Sequence, residues 1–194
     1  MAMRLAGSCH CGGVRFSCDS HAPQPYQRCY CTICRKTAGG GGYAVNLSAE
    51  AGSMAIEDPE GLRRVYRAAL ADGEGRPFTS PGERSFCGRC ASALWLWDPR
   101  WPDLIHPFAS AIDTPLPVPP EHTHLMLGSK APWVEVEAKP KDQLFASHLR
   151  TKSTSCMTSN WSQSRYRPSR PRTTSRPRHY CRYCHCRPSR SRRV

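Results

Sequence analysis

Seven cysteines in three tight clusters restrict the folds open to this chain more than any other feature of its sequence. They read Cys9-His10-Cys11, Cys29-Tyr30-Cys31-Thr32-Ile33-Cys34 and Cys87-Gly88-Arg89-Cys90. A tetrahedral zinc ion, with Zn–S bonds of about 2.3 Å, holds its sulfurs only about 3.8 Å apart, so its ligands must come from turns that wrap the metal. A CxxC places two sulfurs within one such turn. A CxC does the same where the chain bends, and Gly12-Gly13 after Cys11 permits that bend. Zinc bound by Cys9, Cys11, Cys29, Cys31, Cys34, Cys87 and Cys90 is therefore the expectation. The alternative, a set of buried structural thiols, leaves the clustering unexplained.

Seven thiols divide into four plus three. Four thiolates close a structural site, whereas three leave a coordination position for water or substrate. Spacing alone does not say which clusters pair. It favours Cys29, Cys31 and Cys34 as the three-ligand set, because one short run carries all of them. Cys18 shares a face with Val14 and Phe16 and reads as core.

Composition supports metal rather than disulfides. The opening MAMRLAGSCHCGG has neither the apolar run of a secretory signal nor a segment of about 20 apolar residues that could span a membrane. A reducing compartment, cytoplasmic or nuclear, is the default, and there the 12 cysteines read as metal ligands. The formal charge of +13 is unevenly spread: residues 1–150 hold 16 Lys and Arg against 15 Asp and Glu, and residues 151–194 hold 12 against none. Arg, Ser, Thr and Pro dominate that tail and Leu, Ile and Phe are absent from it. Disorder is expected over 150–194, because such a segment buries too little apolar surface to offset its ordering entropy.

The body, 3–140, is punctuated by Gly and Pro and lacks an apolar stripe of helical period, so an all-β fold is expected. Val14, Phe16 and Cys18 alternate with Arg15 and Ser17, making the second arm of a hairpin after Gly12-Gly13. Further strands are expected at 26–30, 43–47, 54–56, 62–68, 93–97, 104–110, 124–127 and 133–137. Leu94 to Trp97 is apolar on both faces and predicts a central strand. One short helical turn is expected after Cys31. Pro115, Pro117, Pro119 and Pro120 form a stiff connector.

GSCHCGGVRF, CYCTICRKTAG, FCGRCASALW and SKAPWVEV together resemble the glutathione-dependent formaldehyde-activating enzyme family, which includes centromere protein V. The resemblance spans about residues 4 to 137. It implies an Mss4-like fold of short antiparallel sheets with two zinc ions. By position, Cys9, Cys11, Cys87 and Cys90 would hold a structural zinc, and Cys29, Cys31 and Cys34 a catalytic one. The implied reaction joins formaldehyde to the thiol of glutathione and is formally that of a carbon–sulfur lyase. Two departures stand out: Ala91 replaces the usual Gly after the second CxxC, and Ala109 to Asp113 is looser than the family pattern.

Other candidates follow from position. Arg35 and Lys36, next to Cys34, are placed to donate near the metal or to hold a glutathione carboxylate, or else form a solvated pair. Thr32, between ligands, could donate to a sulfur but reads as a turn residue, and His10 points away from its flanking ligands if that segment is extended. His122 and His124 read as a surface pair, and Tyr30, Trp95, Trp97, Trp101 and Trp133 as core packing. A competing reading is a non-catalytic zinc module that binds nucleic acid through the basic tail, where Tyr166, Tyr180 and Tyr183 lie among arginines. Cys181, Cys184 and Cys186 in that tail have ligand spacing but lack a composition that folds.

Overall fold

Gly12 adopts φ 73, a left-handed conformation in which a side chain is strained. Its amide donates to the Cys9 carbonyl at 2.9 Å and the Cys9 amide donates to Val14 at 2.9 Å, so the CxC lies inside a closed chain reversal. From this reversal the first hairpin extends.

The computed structural model describes residues 2–21 and 26–147. The expectations for 150–194, from disorder to nucleic-acid contact and a further cysteine site, lie outside the described residues. Among the described residues no helix is long and apolar enough to cross a membrane.

Among the described residues, twelve strands and one α-helix follow in chain order: β1 (Met3–Ser8), β2 (Arg15–Ser20), β3 (Tyr26–Cys29), α1 (Thr32–Ala38), β4 (Ala44–Asn46), β5 (Ala49–Glu50), β6 (Ala55–Glu57), β7 (Arg63–Ala71), β8 (Pro77–Cys87), β9 (Ala93–Trp97), β10 (Leu104–Pro107), β11 (His122–Leu125) and β12 (Gln143–Leu144). They form three small sheets, ordered β1-β2-β6, β5-β10-β9-β8-β7 and β12-β11-β3-β4. The fold is mostly β, as the sequence implies. Pairing is antiparallel except at β11, which runs parallel to both β3 and β12.

Alternation in the first hairpin buries Leu5 on β1 and Phe16 and Cys18 on β2. These residues meet Leu94 and Trp95 of β9 in the main core, where the Phe16 and Trp95 rings pack edge to face at 5.0 Å. Cys18 is fully buried there, and burial pushes its thiol up to about 11, so it is a core residue and not a ligand. Gly7 lies opposite Phe16. A Cβ at that position would stand 2.5 Å from the Phe16 ring and 2.4 Å from the Ala111 carbonyl oxygen, so only glycine lets the sheets close.

The central strand expected at 93–97 is β9, in the middle of the five-stranded sheet. Three expectations need correction. The segment 133–137 is not a strand: it pairs with no strand among the described residues, and its Val134 carbonyl accepts instead from the Lys130 ammonium at 2.6 Å. Trp101 and Trp133 are not core, with Trp133 63% exposed. The longest strand among the described residues, β8, was not expected; Pro77, Pro81 and Gly82 fall within it. Pro81 is accommodated where the β7 register shifts between Arg67 and Ala69, which is where a strand tolerates a missing donor.

Candidate metal centres and the cleft beside them

The β1-β2 reversal supplies Cys9 and Cys11, and the turn from β8 to β9 supplies Cys87 and Cys90. That turn is closed by the Ala91 amide donating to Cys87 at 2.8 Å and the Cys87 amide donating to Ser92 at 3.0 Å. The four sulfurs lie within 4.8 Å of one another. Cys9 and Cys11 are 3.5 Å apart and Cys11 and Cys87 3.8 Å, matching the edge of a zinc tetrahedron. The Val14 amide donates to the Cys9 sulfur at 3.2 Å. The Ser92 hydroxyl, and then its amide, hold Cys90 down at about 5, so a thiolate forms readily here. The donor set and its geometry fit zinc. His10, between two of these cysteines, is exposed and its amide donates to Ser92.

Cys29, Cys31 and Cys34 form a second set, again with sulfurs within 4.8 Å. Cys29 ends β3. Cys31 caps α1, its sulfur accepting from the Cys34 amide at 3.3 Å, and Cys34 lies buried in the first turn. Hydrogen bonds from the Cys29 and Cys34 thiols, then from the amides of Cys34 and Ile33, outweigh burial and draw Cys31 down to about 2. The same neighbours push Cys29 upward. At Cys34 the Cys29 thiol acts downward, but the Cys31 sulfur and burial prevail at about 11; Arg84 is the cation acting on this sulfur. Three soft donors on one tight turn also fit zinc, with one position left for a further ligand.

His122 and His124, expected at the surface, are buried instead, His124 at 0% exposure. The reason is that β11 runs between β3 and β12. Their acid is Asp142, which sequence proximity could not suggest. Arg28 can only donate, so its contact with His122 Nε2 at 3.1 Å places the ring proton on Nδ1, facing Asp142 at 3.4 Å. His124 Nε2 faces Asp142 at 3.1 Å and donates to it, leaving Nδ1 to accept from the Tyr30 hydroxyl at 2.8 Å. Burial raises the Asp142 pKa, but the Lys139 and His122 amides and His124 outweigh it, to about 2. These three residues could hold a metal by distance; His124 joins Asp142 to Tyr30 in a hydrogen-bond network, whereas His122 Nδ1 is buried without a hydrogen-bond partner. The network anchors Tyr30, which lies between Cys29 and Cys31.

Beside the second cysteine set lies a cleft of about 300 Å³. Its exposed rim is Thr37, Tyr66 and Ala91, and deeper residues are Phe86, Phe108 and Arg84. Phe108 packs in one cluster with Cys29 and Cys34, and Thr37 lies on α1 beyond Cys34. Arg84 is a residue that sequence reasoning missed. Had β8 been recognised, its period of two would have put Arg84 on the face of Gly82 and Phe86. Of the earlier candidates, Arg35 keeps a buried Nε without a hydrogen-bond partner, while Lys36 and Thr32 are exposed.

The sequence profile described as glutathione-dependent formaldehyde-activating enzyme matches residues 4–128. A Halomonas elongata protein provisionally named a glutathione-dependent formaldehyde-activating enzyme is 58% identical over 146 residues, covering 75% of this chain and 89% of its own length. The crystal structure of a Rhodobacter sphaeroides protein aligns with a TM-score of 0.43 at 18% identity, covering 58% of this chain and 91% of that one. With all three cysteine-bearing motifs falling inside the matched span, this chain belongs to the glutathione-dependent formaldehyde-activating enzyme family.

Proposed function

We propose that the chain is a zinc-dependent enzyme that joins formaldehyde, or a similar small aldehyde, to a thiol such as glutathione, in the manner of an S-(hydroxymethyl)glutathione synthase. The thiol S–H and the aldehyde C=O become a C–S bond and a hydroxyl, and the reverse step makes the activity that of a carbon–sulfur lyase. Residues 3–140 form the zinc domain, with two ions per chain. Cys9, Cys11, Cys87 and Cys90 hold the structural ion; Cys29, Cys31 and Cys34 hold the catalytic one.

The observation that carries this reading is a converging three-thiol set with an open cleft beside it. Zinc bound there would supply a position at which an incoming thiol loses its proton more easily, or a Lewis acid for a carbonyl. Three thiolates weaken that acidity, so groups around the site must assist. The chain's contribution is position. The Tyr30-His124-Asp142 network fixes the backbone between Cys29 and Cys31, and the Cys34 amide holds the Cys31 sulfur.

Exchange NMR of formaldehyde with glutathione tests the reading. The zinc-loaded protein should accelerate exchange, and Cys31→Ser should abolish the acceleration while retaining one zinc of the two. Exchange at the uncatalysed rate in the zinc-loaded wild type would overturn it.

A further inference from the structure

Arg84 poses a question that the reaction above leaves unanswered. It is 9% exposed, and its Nε and Nη1 are buried without a hydrogen-bond partner. A buried guanidinium without a hydrogen-bonded counter-ion is costly, and an unsatisfied buried donor in a native fold calls for a partner not yet named. The nearby carboxylates spend their hydrogen bonds elsewhere: Asp98, on which the Arg84 charge also acts, is engaged by the Arg100 side chain at 2.9 and 2.6 Å and by its amide at 3.0 Å, and Glu83 pairs with Arg67. Arg84 also lines the cleft beside the three-thiol set.

The position is a constructed one. Arg84 lies on β8 between β7 and β9, opposite Tyr66 on one side and Leu96 on the other. Tyr66 forms part of the cleft rim, and Leu96 packs against the cluster that contains Cys29 and Cys34. Phe108 is shared between that cluster and the cleft. An incoming molecule in this space meets largely apolar walls, with the Arg84 guanidinium buried in their floor and the cysteine set on the far side of Phe108. A guanidinium offers a planar array of donors that suits a carboxylate. A cleft of about 300 Å³ is at the small end of ligand sites and suits one part of a substrate.

We propose that Arg84 is the carboxylate receptor of this cleft, so that the thiol substrate must carry a carboxylate as well as its sulfur. The inference rests on the proposed function for the identity of the thiol, and it narrows that function: glutathione qualifies, and a neutral thiol of similar size does not. Among the charged groups near Cys34, Arg84 thus acts on the substrate, as a binding residue, whereas Arg35 follows the ligand directly on α1.

The test uses the full zinc-loaded chain and ligands that cannot react. S-methylglutathione and its diester are titrated calorimetrically into wild type, Arg84→Gln and Arg84→Lys, with zinc content measured on each. Wild type should bind the acid at least about 10-fold more tightly than the diester, as expected for a charge-assisted bond formed in a desolvated site. Arg84→Gln should reduce that preference to near unity by weakening the acid alone, and Arg84→Lys should keep part of it. Equal binding of acid and ester by wild type, or no binding of the acid, overturns the proposal even if Arg84→Gln fails to fold. So does an Arg84→Gln protein that retains the preference but loses zinc, since Arg84 would then only balance the thiolate charge. Acid preference without accelerated exchange would instead sink the proposed reaction and leave this assignment intact.

Discussion

If each cysteine set holds zinc, the two ions differ in what they contribute to stability, and sequence separation sets the difference. The sulfurs of Cys11 and Cys87 meet across 76 residues, whereas Cys31 and Cys34 are 3 residues apart. Treated as a cross-link, the first bridge removes loop-closure entropy from the unfolded chain worth about 4.5 kcal/mol, and the second under about 2 kcal/mol. The perturbation must take away the metal without carving the core. Cys11→Ser with Cys90→Ser does so, because Cys11 is exposed and Cys90 half-buried while the retained Cys9 and Cys87 are buried. Cys31→Ser is its counterpart, at a half-buried position that also leaves two thiols. Two thiols do not retain zinc in competition with water, so each variant should keep one ion of two. In urea, with a slope of about 2 kcal/mol per molar, the double variant should unfold about 2 M earlier than wild type and Cys31→Ser less than about 1 M earlier. For a domain stabilised by about 5–15 kcal/mol, the first loss leaves a marginal fold. Equal midpoints for the two variants, with metal content as stated, would refute the loop argument.

Three further outcomes are expected. Ala91 has φ 60, a conformation that strains an L side chain by about 1–2 kcal/mol. After the greater unfolded-state freedom of glycine is set against that strain, Ala91→Gly should stabilise by about 0.5–1 kcal/mol, read as a higher urea midpoint; a lower one would show the strain to be absent. Gly42 has φ 91 and a Cβ there would stand 2.2 Å from Val134 Cγ2, so Gly42→Ala should cost about 2–3 kcal/mol in the same assay. Asp142 sits at about 2, below its ordinary 3.8. A depressed carboxylate contributes stability that is complete above the unfolded pKa and lost as pH falls through the folded one, here between about 4 and 2, and worth about 2 kcal/mol. Wild type and Asp142→Asn should therefore differ by about that amount at pH 7 and converge toward pH 2; a gap constant with pH would contradict the assignment.

What could be read from the sequence was whatever depends on neighbours along the chain. CxC and CxxC spacing is set by single turns, so the cysteine sets were legible, as was the apolar strand at Leu94 to Trp97. The first hairpin was legible because Phe16 and Cys18 alternate with polar residues. Illegible features depend on pairing between distant segments. His122 and His124 looked superficial because their acid, Asp142, arrives on the approach to β12, which pairs parallel to β11. β8 was hidden because Pro81 counts against a strand unless a register shift opposite it is known. Arg84 was hidden with it, since a charged residue becomes informative only once its neighbours are seen to be committed.

β8 links the two cysteine sets in a way that neither set reveals alone. Along one strand and its turn come Arg84 and Phe86, which line the cleft, then Cys87 and Cys90 of the four-thiol set, then Ala91, which returns to the cleft rim. The turn that would hold the structural ion therefore forms one wall of the space beside the other set. Phe86 and Cys87 point to opposite sides of β8, so a change in the turn acts on the cleft through the backbone, without contact between the metals. The strained backbone at Ala91 lies at this junction, where relaxing it would shift the cleft rim as well as the turn. Losing the structural ion should thus weaken binding in the cleft before the protein unfolds, and in the Cys11 and Cys90 double variant the acid-over-ester preference should fall at urea concentrations where the secondary structure is intact. If that preference survives unchanged until global unfolding, the two sites are mechanically independent and β8 is only a shared element of the fold.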